Sequence, residues 1–221
     1  MTELLMARAR HVIAVEIDST LARKLEERFA ADARIEILQA DILSTDLAGL
    51  CRRHASAHCF VFGNLPYYIT SPIIHHLFGS ASWIRGMALL VQREVAERIA
   101  AAPGTRAYGY LSVLAQLHSQ PRIVITLPPG AFSPQPKVHS ALVSFQTIRR
   151  FPEWDLQGQE KFLEFVKRCF AQKRKNLLNN LAKIHGRERV EQELAALAIP
   201  SNSRAEQLSL ERFARLFDRL E

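Results

Sequence analysis

The stretch from Phe60 to Pro72 contains residue types that could hold a flat, amino-bearing base. Asn64 offers a side-chain carbonyl and Leu65 a backbone carbonyl. The proline that follows has no N–H, so it cannot use a carbonyl as its own partner. Both acceptors could therefore bind the protons of an exocyclic amino group, while Tyr67 or Tyr68 stacks on the ring.

The chemistry that this arrangement suits is transfer of a group to that amino nitrogen. The nitrogen is a poor nucleophile because its lone pair is delocalised into the ring. Two acceptors that pull on its protons would favour a pyramidal, attacking nitrogen. Positioning and electrostatics would then supply most of the catalysis, and no strong base is needed. Taken alone, Gly63 to Tyr67 also fits an ordinary turn, because glycine, asparagine and proline are turn-forming residues.

The elements around this stretch predict that it ends a strand of an α/β sheet. The apolar run from Cys59 to Phe62 is typical of a buried strand that stops at Gly63. In open α/β sheets, ligands bind at the carboxyl ends of the strands. Glu16 and Asp41 follow two earlier predicted strands, 12–15 and 35–38. In a nucleotide-binding sheet, such acids can accept from ribose hydroxyls and from an adenine amino group. The alternative is that both are solvated strand caps.

The whole chain alternates strand and helix patterns up to about residue 150. An amphipathic helix is predicted over 19–29, where Leu21, Leu25 and Phe29 share one face. Further helices are predicted over 71–78, 94–102 and 108–118, and strands over 87–91, 123–127 and 140–145. The last two strands form an antiparallel hairpin at one edge of an otherwise parallel sheet.

After Phe151-Pro152 only helices are predicted, over 161–180, 187–198 and 209–220. Ser209 is expected to cap the last of these helices. The sequence therefore predicts an α/β domain over 1–150 and a small all-α domain over 151–221, with the boundary near 150–157.

Composition narrows the functional classes. The 221 residues include 29 Lys and Arg against 22 Asp and Glu, a net charge of +7, which favours a polyanionic partner. The three cysteines are scattered and odd in number, which fits a reducing compartment. No metal site is expected, because the cysteines lack metal spacing and His75-His76 are adjacent without acids nearby. No apolar run reaches membrane-spanning length.

Several motifs in order resemble one family. They are Val15 to Asp18, Gln39 to Leu43, Gly63 to Pro72, Val91 to Arg98, Pro103 to Gly109, Phe132 to Val138 and the tail motif Phe170 to Leu181. The set is similar to the KsgA-type ribosomal RNA small-subunit adenine N6-dimethyltransferases, which use S-adenosylmethionine (SAM). The resemblance runs almost end to end and implies a Rossmann-like class I methyltransferase sheet.

The resemblance implies a role for each matching residue. Glu16 would bind the SAM ribose and Asp41 the SAM adenine, with Asn64 at the cofactor as well. The catalytic residues implied are Asn64, Leu65, Pro66 and Tyr67. The substrate-binding residues implied are Tyr67, which stacks on the target base, Phe132, which clamps it, and Lys137, Lys173, Arg174 and Lys175.

The activity implied is dimethylation of two adjacent adenines near the 3′ end of 16S rRNA in the 30S subunit, as part of small-subunit biogenesis. The protein is expected to be a cytoplasmic monomer without a membrane partner. Two alternatives stay open. One is an Erm-like methyltransferase of 23S rRNA. The other is a non-catalytic rRNA-binding assembly factor that has lost SAM binding.

One departure from the family pattern concerns the amino terminus. The family begins with an earlier strand that runs into a Gly-rich loop around SAM, whereas Thr2 to Leu5 match the helix after that loop. We expect two unpaired inner strand edges and weak or absent SAM binding by these 221 residues. A misassigned start codon is the favoured explanation over an incomplete gene or a true short form.

The helical tail is basic. Lys167, Arg168, Lys173, Arg174 and Lys175 are predicted on one helix, and no acid lies between Lys167 and Arg187. A solvated helix face is the common role of such charges. The absence of interleaved acids favours contact with RNA phosphates.

Overall fold

The computed structural model of the protein describes residues 1–54 and 58–221. It is a mixed α/β structure with two compact units, Met1–Ser56 and Ala57–Glu221. No helix in the described part of the chain is long and apolar enough to cross a membrane.

The unit Met1–Ser56 contains a two-stranded parallel sheet. Strand β1 (Val12–Glu16) pairs with β2 (Ile35–Gln39) in continuous register. Helix α2 (Ser19–Phe29) connects them, as predicted, and begins after Asp18, whose carboxylate accepts hydrogen bonds from the backbone N–H groups of Thr20 and Leu21. Helices α1 (Thr2–Met6) and α3 (Leu47–Arg53) complete the unit; the sequence did not predict α3.

The predicted buried face of α2 is wrong in one respect. Leu21 is 48% exposed, and the residue of α2 that is buried is Ala22. Leu25 and Phe29 are partly buried, so they share a face with Ala22, and only Leu21 departs from the predicted face.

The unit Ala57–Glu221 contains a four-stranded sheet with strand order β3-β4-β6-β5. Its strands are β3 (Cys59–Asn64), β4 (Ile84–Gln92), β5 (Ser119–Leu127) and β6 (Ser140–Thr147). The first pair is parallel, and the other two pairs are antiparallel. The predicted hairpin at a sheet edge is therefore confirmed. Within the described residues β1 pairs only with β2 and β3 only with β4, which agrees with the expectation of an unpaired edge on each.

Strand β3 is not buried as predicted. Phe60 is 61% exposed and Phe62 is 45% exposed, whereas the alternate residues Cys59, Val61 and Gly63 are partly buried. Successive side chains of a strand point to opposite faces. The pattern therefore shows that the described residues cover only one face of β3.

Three helices between β3 and β5 contribute buried side chains to the core of this unit. These are α4 (Thr70–Gly79), α5 (Arg93–Ile99) and α6 (Tyr110–His118). Fully buried side chains of α4 and α6 lie in the same core as those of the two central strands: Ile73, Ile74, Leu77, Phe78, Val113, Leu114, Leu89, Val91, Val143 and Phe145.

The remaining helices are α7 (Leu156–Cys169), α8 (Leu177–His185), α9 (Arg187–Ala196) and α10 (Leu210–Leu220). The Ser209 cap on α10 is confirmed by a hydrogen bond from Arg212 N. The single helix predicted over 161–180 is wrong, since two helices occupy it. The Asn176 side chain caps the start of α8, and Asn180 Nδ2 donates to the carbonyl of Cys169 at 2.7 Å, so the chain turns between them.

The division into compact units does not fall at the predicted domain boundary. Arg150 donates to the Gln116 carbonyl and pairs with Glu211 on α10 at 3.6 Å. Trp154 stacks on Phe151, and its ring also contacts Phe217. These contacts join the two sides of 150–157 within one unit, and a functional division there stays a prediction.

Candidate active site

The turn that follows β3 is held by the carbonyl of Pro66. Ile69 N donates to this carbonyl at 3.2 Å, and the buried Thr70 hydroxyl donates to it at 3.1 Å. On the other side, Leu65 N donates to the Leu90 carbonyl of β4 at 3.0 Å. The turn is therefore fixed at both ends, by the sheet and by the first turn of α4.

The two acceptors predicted from the sequence are left available by this turn. Asn64 is exposed at the end of β3, where its backbone is in register with Leu90. Within residues 1–54 and 58–221, neither the Asn64 side chain nor the Leu65 carbonyl takes part in a hydrogen bond. A polar group without a protein partner is free to bind water or a ligand, so both can accept from an amino group.

Tyr67 is the aromatic side chain that the structure anchors. Its hydroxyl lies 2.7 Å from Oγ of Ser140, which is fully buried at the start of β6. Tyr68, by contrast, is 86% exposed. The hydrogen bond therefore selects Tyr67 as the fixed ring beside Asn64. Ser140 was not predicted, because nothing in its local sequence indicates a partner 73 residues away.

Phe132 and Lys137 lie on the loop between β5 and β6. The backbone pair Leu127–Ser140 closes this loop, and the carbonyl of His139 accepts from Arg93 N at 2.9 Å. Phe132 is half-buried and Lys137 is exposed. Because Ser140 closes the loop and also bonds Tyr67, the loop and the Asn64 turn lie at the same end of the sheet.

The two predicted cofactor carboxylates lie together in the unit Met1–Ser56. Glu16 ends β1, and its Oε1 accepts from Asp18 N at 3.0 Å. Asp41 lies two residues beyond β2, and its Oδ1 accepts from Leu43 N at 2.9 Å. Since β1 and β2 are parallel, both acids lie at the carboxyl edge of one sheet. Each carboxylate keeps a second oxygen, which suits the binding of hydroxyl or amino groups of a nucleoside.

The structure thus assembles the predicted residues in two groups, each within its own compact unit. Glu16 and Asp41 form the first group. The second comprises the Asn64 turn with Tyr67 and the loop that carries Phe132 and Lys137.

The basic residues of the tail do not share one helix. Lys167 and Arg168 are in the last turn of α7, where they pair with Glu164 at 2.5 Å and Glu221 at 2.7 Å. These two cations are therefore already paired, although no acid lies between Lys167 and Arg187: Glu164 precedes Lys167 by one turn of α7, and folding brings Glu221 to Arg168. Lys173, Arg174 and Lys175 lie in the turn before α8.

These three consecutive cations, Lys173 to Lys175, are exposed, and we call them the basic turn. Within the described parts of the chain they make no ion pair with an acid. Lys173 Nζ donates to the Arg106 carbonyl at 2.8 Å, which fixes the first of the three. The basic turn is therefore the part of the predicted cationic surface that stays open to an anionic partner.

The largest pKa shifts of this unit belong to buried groups outside the turn that follows β3. Burial lowers the pKa of His118 to about 4 and raises the pKa of Tyr110 to about 12. Burial also raises the pKa of the Cys169 thiol well above its usual range, so this cysteine is a packing residue.

Comparison with known proteins gives a consistent result. The chain is 43% identical over 221 residues to ribosomal RNA small subunit methyltransferase A of Acidobacterium capsulatum, covering 100% of this chain and 77% of that protein. It is 39% identical over 231 residues to the protein of the same name from Koribacter versatilis, covering 99% and 80% of the two chains.

Solved structures share the architecture. The 23S rRNA methyltransferase ErmE matches with a TM-score of 0.70 and 27% identity over 99% of this chain and 85% of its own. A dimethyladenosine transferase from Plasmodium falciparum matches with a TM-score of 0.77 over 97% and 83%; its 20% identity shows the fold alone. The family model described as "Ribosomal RNA adenine dimethylase" matches residues 1–221. The chain therefore belongs to the family of ribosomal RNA adenine dimethylases.

Proposed function

We propose that this protein transfers methyl groups from SAM to the N6 nitrogen of adenines in small-subunit rRNA. Its family indicates adenine dimethylation of rRNA with SAM as donor. The names of its relatives refer to the small subunit. The observation that carries the proposal at the residue level is the pair of open acceptors, Asn64 and the Leu65 carbonyl, beside the anchored ring of Tyr67.

At the target base, the Asn64 side-chain oxygen and the Leu65 carbonyl accept the two protons of the amino group. Their hydrogen bonds withdraw the nitrogen from conjugation with the ring and direct its lone pair at the methyl group. SAM, when bound, supplies that methyl group on a positively charged sulfur. The displaced proton passes from the nitrogen to water at the exposed side of Asn64. Phe132 is proposed to contact the target base as it stacks on Tyr67.

The cofactor site is proposed at the carboxyl edge of the β1–β2 sheet. Glu16 binds the ribose hydroxyls of SAM, and Asp41 binds its adenine amino group. The support is their chemistry and position: each has one carboxylate oxygen engaged by a backbone N–H and a second one available. The backbone bond fixes the orientation of each carboxylate, which lowers the entropy cost of binding.

The RNA partner is proposed to be 16S rRNA in the 30S subunit, with two adjacent adenines near its 3′ end as targets. Lys137 and the basic turn contact its phosphates. We further propose a monomer that acts in the cytoplasm during assembly of the small subunit.

A second candidate is supported by the similarity to ErmE, a methyltransferase whose name refers to 23S rRNA. Both candidates would use the same acceptor pair, so the site geometry does not separate them. Incubation with isolated 30S subunits and, separately, with 23S RNA separates them: labelled methyl groups on 30S support the main proposal, and label on 23S RNA alone supports the second.

Replacement of Asn64 tests the chemistry. Transfer of labelled methyl groups to 30S subunits is measured for the wild type, for Asn64→Ala and for Asn202→Ala, which removes an exposed asparagine from a distant loop. Loss of one such acceptor is expected to slow transfer by about 100-fold or more. The control should match the wild type, and thermal melting checks that both variants fold. Wild-type rates for Asn64→Ala would refute the proposed role of the turn.

A further inference from the structure

We propose that His11, Glu36 and His54 form a binding site for a divalent transition metal, with Zn²⁺ as the metal that fits the ligands best. All three residues belong to the unit Met1–Ser56. They are distant in sequence, and none was selected by the sequence analysis. Folding alone brings them together.

The β1–β2 register explains how two of the three meet. Glu36 of β2 is paired with Ile13 of β1, so their side chains leave the sheet on the same face. His11 lies two residues before Ile13 and therefore shares that face. His54 follows the last residue of α3 as its C-cap, and its Nε2 lies 2.8 Å from Oε2 of Glu36.

The geometry of the cluster is close to that of a metal site. One ligand atom from each residue lies within 4.8 Å of those from the other two. The two imidazole rings stack with centroids 4.2 Å apart. In tetrahedral zinc sites with bonds of 2.0–2.1 Å, ligand atoms are roughly 3.3 Å apart. Side-chain rotations that shift the ligand atoms by about an ångström would therefore place all three ligand atoms around one ion. A water molecule would occupy the fourth coordination position.

In the described part of the chain, one nitrogen of the cluster lacks a hydrogen-bond partner, which favours a site for a ligand over a complete hydrogen-bond network. Nε2 of His11 is inaccessible to solvent and has no hydrogen-bond partner among the described residues. Such a nitrogen carries a desolvation cost that a hydrogen bond or a metal would relieve. Imidazole nitrogens and carboxylate oxygens are also the donor types that zinc prefers after thiolate.

The competing reading is a simple ion-pair cluster. Nη2 of Arg53 lies 3.3 Å from Oε1 of Glu36, so an arginine already neutralises part of the carboxylate. Its side chain is 59% exposed and can move into solvent when a cation arrives. The two readings predict different effects of removing Arg53 on the affinity for metal. A metal site loses a competing cation and binds more tightly, whereas an ion-pair cluster gains no affinity for metal.

The test uses protein without an affinity tag, dialysed against a chelator and then titrated with ZnCl₂ by calorimetry. We expect one Zn²⁺ per chain and a higher melting temperature with Zn²⁺, because the ion links the residue before β1 to β2 and the end of α3. His11→Ala and Glu36→Gln should each weaken binding by about tenfold or more. Arg53→Ala should strengthen it, and His139→Ala, which removes an exposed histidine of the other unit, should leave it unchanged.

Glu36→Gln keeps the shape of the side chain, and circular dichroism of each variant verifies folding. The proposal is overturned if Zn²⁺ affinity is the same in folded Glu36→Gln and His11→Ala as in the wild type. Equal loss of binding in His139→Ala would also overturn it, because the ion would then be bound by surface histidines in general. None of these readouts depends on methyl transfer.

Discussion

The hydroxyl of Tyr67 lies 2.7 Å from the hydroxyl of Ser140, and this contact joins the turn after β3 to the first residue of β6. Ser140 is fully buried, so the tether is shielded from competing water. A ring tethered at its hydroxyl keeps one orientation relative to the Asn64 acceptors. The same contact ties the turn to the loop that carries Phe132, since Ser140 closes that loop.

Breaking the hydrogen bond between Tyr67 and Ser140 should lower the rate of methyl transfer more than it weakens stacking of the target base on Tyr67. Tyr67→Phe retains the aromatic face but loses the hydroxyl, and we expect a moderate loss of about tenfold in kcat as the ring becomes less well oriented. Tyr67→Ala also loses stacking, worth about 1–3 kcal/mol, and should lower kcat/KM much further. Steady-state methylation of 30S subunits measures both. Ser140→Ala is the matched test: it should reproduce Tyr67→Phe, and a wild-type rate would show that the tether is not used.

The two carboxylates of the β1–β2 sheet should differ from the Asn64 turn in their kinetic effect. Asp41→Asn and Glu16→Gln keep the side-chain shape but replace the charged acceptor by an amide. We expect weaker SAM binding, by about 10- to 100-fold for charge-assisted bonds, in calorimetry or in KM for SAM. The exposed Glu188 provides a control as Glu188→Gln. Unchanged SAM affinity in both variants would remove Glu16 and Asp41 from the cofactor site.

Charge reversal of the basic turn should weaken RNA binding in a salt-dependent manner. The triple variant Lys173→Glu, Arg174→Glu and Lys175→Glu loses three phosphate contacts, so the slope of log affinity against log salt should fall by roughly 2. The matched control reverses Lys161, Arg212 and Arg215, which are exposed on α7 and α10 and make no ion pair in the described residues. An equal fall of the slope in the control would mean that net charge, not the basic turn, determines binding.

Acid should destabilise the protein through His118. Burial, with a smaller effect of the neighbouring His75, lowers its folded pKa to about 4, below the unfolded value of about 6.5. Above pH 6.5 the imidazole is neutral in both states. Between pH 6.5 and 4 only the unfolded chain binds the proton, so stability falls as pH falls, by at most about 3 kcal/mol.

His118→Phe tests this pH effect. Phenylalanine can keep the stacking on Phe78, whose ring lies 5.0 Å from that of His118, and it cannot bind a proton. Urea unfolding at pH 7 and pH 4.5 should show a smaller loss of stability in the variant than in the wild type. His139→Gln, at an exposed position, serves as the control and should keep the wild-type loss. An identical loss in His118→Phe would show that other groups cause the acid sensitivity.

Local signals predicted the elements whose causes are local. Helix α2 was predicted with its bounds, and α10 with its Ser209 cap, because a capping side chain and an apolar period lie within a few residues of each other. The break between α7 and α8 was not predicted, because it depends on the hydrogen bond from Asn180 to the Cys169 carbonyl, which residue composition does not indicate. The exposure of Phe60 was missed because periodicity does not tell which face of a strand is covered.

The same limit applies to the candidate site. The acceptors of Asn64 and Leu65 could be predicted from residue type and place, since a side-chain amide and a backbone carbonyl in a turn after a strand are both hydrogen-bond acceptors. Ser140 as the partner of Tyr67 could not be predicted, and neither could Glu221 as the partner of Arg168, because these pairs depend on how distant elements meet in space. The pair of Glu164 and Lys167 is different, since the two residues lie three apart on α7 and the sequence already contained this signal.

The Asn180 side chain has a consequence for how the basic turn meets a polyanion. It donates to the carbonyls of Cys169 and Gln172, and so fixes the backbone that carries the three cations. Mutual repulsion among adjacent positive charges would otherwise drive this segment apart, and docking would have to order it again. Here that ordering is completed during folding, so a phosphate backbone meets three cations that are already in place. Association of the two should therefore be fast and cost little chain entropy.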